Sequence, residues 1–332
     1  MNKLGAPAGA PTTNLTMSAR DWFWLIGLAI IWGASYFFGK VAVDDIGPLT
    51  VAFGRVILAA AILYIVIRLR QLPIPRTRDD WIPFFGMGVL NSALPYSLIF
   101  WGVTSISSGL AAILTATVPI FTVIVAHFWT VDEKMSPAKA VGIGLGMAGV
   151  VVIMGRDLGA LTSGSGLAKL AIVAASISYA FSGIYGRRLK GKSPLILAWG
   201  QMCAATVLML PLVLFVDRPW STAEWKLDAV LSVIALATLC TAVAYMIFFR
   251  LLGTIGATNT SLVTFMIPVS SILLGFAFLS EPLVAAQLLG MGLIIAGMAV
   301  IDGRLTRRFF GSANATRQSG ILGKPVLERP HD

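Results

Sequence analysis

Ser92 and Tyr96 stand four residues apart in an apolar run, and Thr241 and Tyr245 repeat the pair 149 residues later. Four-residue spacing puts two side chains on one helix face, so each pair aims two hydroxyls the same way. Such hydroxyls either bond neighbouring helices, at about 0.6 to 2 kcal/mol each, or line a shared cavity, and their repetition favours the cavity. Pro119 and Pro268 lie inside apolar runs at the same offset. A proline within a helix lacks an N–H and frees the carbonyl four residues earlier, here Thr115 and Thr264. Matched interruptions at membrane depth point to a binding site, with a bare kink as the alternative. Trp32 with Ser35 and Tyr179 with Ser182 each set a hydroxyl three residues after an aromatic, a wall suited to a mostly organic solute.

Charge is scarce where these residues lie. Arg55 falls about seven residues into an apolar run, roughly 10 Å deep at 1.5 Å per residue. A cation at that depth is costly enough to imply a role, either binding a substrate anion or tying helices together. Gln201 occupies its counterpart position in the second half. The fifteen carboxylates fall in predicted loops or near helix ends. Asp132 with Glu133 and, in the equivalent place, Glu281 close two of the runs, as gates, coupling sites or plain end charges; His127 adds a group able to take a proton. Proton- or sodium-driven carriers usually hold a carboxylate near mid-membrane, so facilitated transport or exchange is expected over strict proton symport. An intramembrane enzyme or lipid-handling protein would need His127, Asp132 and Glu133 to converge on one wet point. No metal-ligand spacing, phosphate loop or paired redox cysteine is present, so neither a metal nor a cofactor is expected. Cys203 and Cys240 stand singly and suit packing.

Helices must position these residues. The chain has 332 residues, 57% hydrophobic and only 12% charged, against about 25% charged in an ordinary soluble domain. That excludes a soluble fold, and two cysteines exclude a disulfide scaffold. The apolar stretches are continuous, so an alternating β-barrel fails too. Ten runs have the length that crosses the hydrocarbon core, near 22–41, 48–67, 81–103, 107–129, 138–155, 167–187, 194–216, 227–249, 257–279 and 285–302. Backbone groups in lipid need internal partners, which makes these runs helices. The first 20 residues are polar and are expected to be a tail instead of a cleavable signal. With a cytoplasmic N-terminus, nineteen Lys and Arg fall on the inner side and five on the outer, which puts both termini inside. The net charge of +10 is thus topological and does not imply a nucleic-acid partner.

The second half repeats the first at an offset of 146 to 149. Residues 142–156 agree with 290–304 at nine of fifteen positions. Five-helix units start on opposite faces, so the expected fold is an all-α membrane protein of ten transmembrane helices in two inverted repeats. The predicted units are an N-terminal tail, 1–20; a first repeat, 21–156; a second repeat, 157–304; and a basic C-terminal tail, 305–332. Loop charge agrees: Arg187, Arg188, Lys190 and Lys192 stand where the first repeat has Lys40, Asp44 and Asp45. The glycines of the fifth and tenth runs permit close packing, on each other or across a dimer face.

The chain resembles the EamA-type members of the drug/metabolite transporter superfamily. The likeness rests on IWGASYFFGK, which includes Tyr36, on Arg55, on GLAAILTATVPIFTVIVAHF with Asp132 and Glu133, on its copy NTSLVTFMIPVSSILLGFAFLSE, and on the Gly-rich fifth and tenth runs. The resemblance implies a multi-pass protein of the bacterial inner membrane that exports or exchanges small metabolites, amino acids leading and nucleosides or drugs as alternatives. It also implies a central cavity lined by helices one, three, four, six, eight and nine. The expected partners are a small-molecule solute and the lipid bilayer, with the chain acting as monomer or homodimer.

Overall fold

The computed structural model describes residues 17–130, 135–155, 164–189 and 191–302. They are helical, with no strand among them. Eight helical segments are long and apolar enough to cross a bilayer: α1 (Ala19–Val43), α2 (Pro48–Leu69), α3 (Arg78–Val103), α4 (Ser108–Trp129), α5 (Pro137–Met154), α6 (Gly164–Leu189), α7 (Pro194–Ser221) and α8 (Leu227–Gly256). Two shorter apolar helices follow, α9 (Val263–Leu279) and α10 (Ala285–Ile301). The chain is therefore a multi-pass helical membrane protein. Large apolar side chains such as Leu69, Phe128 and Phe278 are exposed on its surface, where a bilayer would cover them.

Local chemistry sets where the helices begin. Ser18, Thr77, Ser107 and Ser136 each accept a hydrogen bond from a backbone N–H of the first turn they precede, which satisfies donors that have no intrahelical partner. Pro48, Pro137 and Pro194 occupy first turns, where a missing N–H costs nothing. Lysines serve the other ends. Lys40 Nζ donates to the Val103 carbonyl at 2.8 Å and Lys169 Nζ to the Ile153 carbonyl at 2.9 Å, closing α3 and α5. The ninth helix begins at Val263 and not near residue 257: residues 257–260 are helical again after Gly256, whose φ is 76°, and a turn at Ser261 and Leu262 separates them from Val263.

Several spans depart from α-geometry within their length, among them α7, whose Val213–Asp217 segment is a π-turn. Alpha-helical turns in α3 and α8 give way to π-turns at Val89–Ala93 and Thr238–Val243. In α3 the turn is followed by Pro95, whose nitrogen cannot donate to the carbonyl of Asn91. The fourth span divides into Ser108–Thr115 and Val118–Trp129 just before Pro119. Pro268, expected to make a matching interruption, instead sits inside the continuous helix Val263–Leu279. It lies only five residues after that helix begins, and the local breaks fall upstream, at Gly256 and before Val263.

Contacts between the halves come in exchanged pairs. Gly142 of α5 faces Gly297 of α10, and Gly149 faces Gly290: in each case a Cβ added to the α5 glycine would lie 2.6 Å from the facing carbonyl oxygen. Gly54 of α2 packs on Val233 of α8, while Gly200 of α7 packs on Phe84 of α3. Asp45, before α2, pairs with Lys226 at 2.5 Å, and at the other end of α2 Asp80 pairs with Lys192 at 2.5 Å. Hydrogen bonds to Asp45 and Glu224 push the Lys226 ammonium up to about 12, so it stays charged at any physiological pH. The fifth and tenth helices thus pack on each other. A leucine at Gly149 has no room there and is expected to cost about 1 to 3 kcal/mol, read as a fall in the thermal-unfolding midpoint in detergent. An unchanged midpoint would mean that the crossing is looser than these distances.

Candidate functional site

A cavity of about 430 Å³ lies between seven helices, within the usual size range of small-molecule sites. Its formal charge comes from α2. Arg55 is only 7% exposed. Its Nε donates to Thr241 Oγ1 at 2.9 Å, Nη1 to Ser35 Oγ at 2.9 Å, and Nη2 to the Cys240 carbonyl at 3.3 Å. The last contact depends on the π-turn. Ala244 N–H, which would bond Cys240 in an α-helix, donates to Leu239 and Thr241 instead, and so leaves the Cys240 carbonyl for the guanidinium. The Tyr96 ring lies 4.0 Å from the guanidinium carbon, with Phe100 at 5.9 Å, close enough for cation–π attraction. All these partners are neutral.

The α3 π-turn presents Asn91, which the sequence reading passed over. Its Nδ2 donates to Gln201 Oε1 at 3.1 Å and to Tyr245 Oη at 3.2 Å, while Gln201 Nε2 donates to the same Tyr245 Oη at 3.1 Å. Ser182 Oγ donates to Asn91 Oδ1 at 2.9 Å. The cavity lining thus combines neutral amides and hydroxyls with the guanidinium of Arg55. The signal was available: Asn91 is an amide within an apolar run, four residues before a proline.

Of the residues singled out by spacing and type, Trp32, Ser35, Tyr36, Arg55, Tyr96, Thr115, Tyr179, Tyr245 and Thr264 line the cavity. The lining draws on α1, α3, α4, α6, α8 and α9, with Arg55 from α2. Ser92, Pro119, Ser182, Thr241 and Pro268 are not part of it. Ser92 lies inside the π-turn and Tyr96 after it, and of the two Tyr96 lines the cavity. Ser92 is fully buried and its hydroxyl has no hydrogen-bond partner. Thr241, also fully buried, acts behind the wall by holding Arg55 and donating to the Leu236 carbonyl at 2.8 Å. Phe248, Ile99, Ala112, Ala116, Val118, Cys240 and Ile267 complete the lining. No spacing rule marked these, since an apolar residue in an apolar span carries no signal of where it faces.

The candidates at helix ends separate. Glu281, after α9, accepts from Ser108 N at 2.7 Å, Ser108 Oγ at 2.9 Å and Gly109 N at 3.3 Å, joining the end of α9 to the start of α4. A carboxylate at a helix N-terminus is favoured by the free N–H groups and the dipole there. Glu281→Ala is expected to cost about 1 to 3 kcal/mol, because buried donors lose a charged acceptor; a thermal melt matching the wild type would rule out this junction. His127 Nδ1 accepts from Met135 N at 3.1 Å. Asp132 and Glu133 lie outside the described residues.

Comparison with known proteins places the chain among transporters. The model of the EamA-like transporter family matches residues 22–155 and 166–302. The uncharacterized transporter YoaV of Bacillus subtilis is 25% identical over 287 residues, covering 86% of this chain and 97% of that protein. The uncharacterized inner membrane transporter YedA of Escherichia coli K12 is 27% identical over 286 residues, 83% of this chain and 89% of its own. A protein of Salmonella typhimurium named a probable amino-acid metabolite efflux pump is 24% identical over 296 residues, 86% of this chain and 95% of its own. A solved crystal structure shares the fold at a TM-score of 0.62 and 17% identity, over 88% of this chain and all of that one.

Proposed function

The chain belongs to the EamA-like transporter family, and from that premise we propose that it carries a small organic metabolite across the inner membrane by alternating access, as an exporter, facilitator or exchanger. Amino acids or their close relatives are the leading solute class, a choice supported by the Salmonella relative's name. The observation that carries the proposal is the cavity between seven helices, where one guanidinium, four tyrosines and an amide converge.

Two inverted repeats would supply the two access states. Support comes from the exchanged contacts: Gly142 with Gly297 against Gly149 with Gly290, and Asp45 with Lys226 against Lys192 with Asp80. Residue i meeting the copy of j while j meets the copy of i is what a pseudo-twofold axis produces. The two ion pairs lie at opposite ends of α2, where closing one mouth while opening the other would break one pair and keep its mate. Both tails are assigned to the cytoplasm on the excess of Lys and Arg on that side. Facilitated transport or exchange fits a cavity whose described lining holds no carboxylate.

Purified protein in liposomes, offered a broad panel of labelled amino acids and related metabolites, is expected to accelerate the flux of at least one of them. Flux equal to that of empty liposomes across the panel would overturn the assignment. Flux that collapses when only the proton gradient is removed, at constant membrane potential, would replace exchange with proton coupling.

A further inference from the structure

Arg55 is held in place with part of its bonding capacity unused. A guanidinium has five N–H donors, and three are committed to Thr241, Ser35 and the Cys240 carbonyl. One donor then remains on each terminal nitrogen, the number that a carboxylate accepts from an arginine. Tyr96 covers the guanidinium at 4.0 Å. Among the described residues that line the cavity none is Asp or Glu, and Arg55 is the one formal charge. A cation buried among neutral groups is poorly compensated, and a ligand anion would relieve it. No carboxylate of the described lining awaits a second, positive charge. The hydroxyl and amide groups of Asn91, Gln201 and Tyr245 are bonded to one another.

We infer that the cavity selects an organic monoanion: one carboxylate docked on Arg55 and an apolar or aromatic body against Trp32 and Phe248, with no ammonium group required. Oxo, hydroxy or N-acylated counterparts of amino acids fit this better than the zwitterions themselves. An ammonium would enter a cavity whose only fixed charge among the described residues is already positive and would meet no carboxylate of that lining. The inference rests on the proposed carrier role of the same cavity and narrows its solute.

Calorimetric titration of the purified full-length protein in detergent separates the two. The probes share a body and differ in charge: 3-phenylpropionate, 3-phenylpropionamide, phenylalanine and phenethylamine, with 4-methylvalerate, its amide, leucine and isoamylamine as an aliphatic set. The anion of at least one set is expected to bind ten-fold or more tightly than its amide and its zwitterion. Arg55→Gln is expected to bring anion and amide within about two-fold, and Arg55→Lys to retain part of the preference, since it keeps the charge and loses the planar fork. An amide, zwitterion or amine that binds as tightly as its anion, or a preference that survives Arg55→Gln, would overturn the monoanion assignment and leave the carrier role standing. Binding of none of the eight probes would take the ligand role of the cavity down with it.

Discussion

Arg55→Met is expected to leave the protein folded and to abolish its transport. The two side chains have similar length, so the packing against Tyr96 and Phe100 is largely kept. The substitution withdraws a donor from Ser35, Thr241 and the Cys240 carbonyl. The hydroxyls can turn elsewhere, as Thr241 already donates to Leu236, which leaves one carbonyl unsatisfied at about 1 to 3 kcal/mol. Against this, an ion is no longer held out of water, which relieves a penalty of several kcal/mol. The balance predicts a change in stability within about 2 kcal/mol of zero. Flux in proteoliposomes should fall at least a hundred-fold, equivalent to about 2.7 kcal/mol of lost interaction with the solute. If Arg55 were a strut between α2 and α8, its loss would unfold the protein through three hydrogen bonds to a charged group, at roughly 1.5 to 3 kcal/mol each, and activity would fall only with the folded fraction. Thermal melts beside flux measurements distinguish the outcomes; wild-type flux in a stable Arg55→Met protein would remove Arg55 from the site altogether.

Filling the cavity is the second large effect. Ala116 lines it at the division of α4, beside Ala112, and both are nearly buried. A tryptophan at Ala116 has open volume in front of it, so its indole is expected to occupy the solute's space at an overpacking cost of about 1 to 3 kcal/mol or less. Flux should drop to the level of empty liposomes, while Ala116→Ser, which adds one atom, should stay within a few-fold of wild type. Unimpaired flux in a folded Ala116→Trp protein would show that the solute passes elsewhere.

The conformation suited to these tests is written partly in local chemistry. Pro119 explains where α4 divides. The π-turn at Thr238–Val243 contains no proline. There Thr241 bonds a carbonyl five residues back and Arg55 takes the carbonyl of Cys240, 185 residues away. That turn is held partly from outside its own segment, by Arg55.

The sequence alone determined the solvent in which this chain folds, because long runs without charge can satisfy their backbone in lipid only as helices. It also determined the inventory: Arg55 as the deep cation, the tyrosines, and the recurrence of both halves at 146 to 149 residues. Trp32, Ser35 and Tyr36 line the cavity from a regular helix, whereas Ser92 and Thr241 do not and lie inside π-turns, each inserted residue of which rotates the rest of the helix by about 100°. Only the tertiary structure brought Asn91 into the cavity, moved Thr241 behind its wall and joined Arg55 to Ser35 and Cys240. Those pairings depend on how helices distant in the chain approach one another, and periodicity along a single helix carries no information about its neighbour.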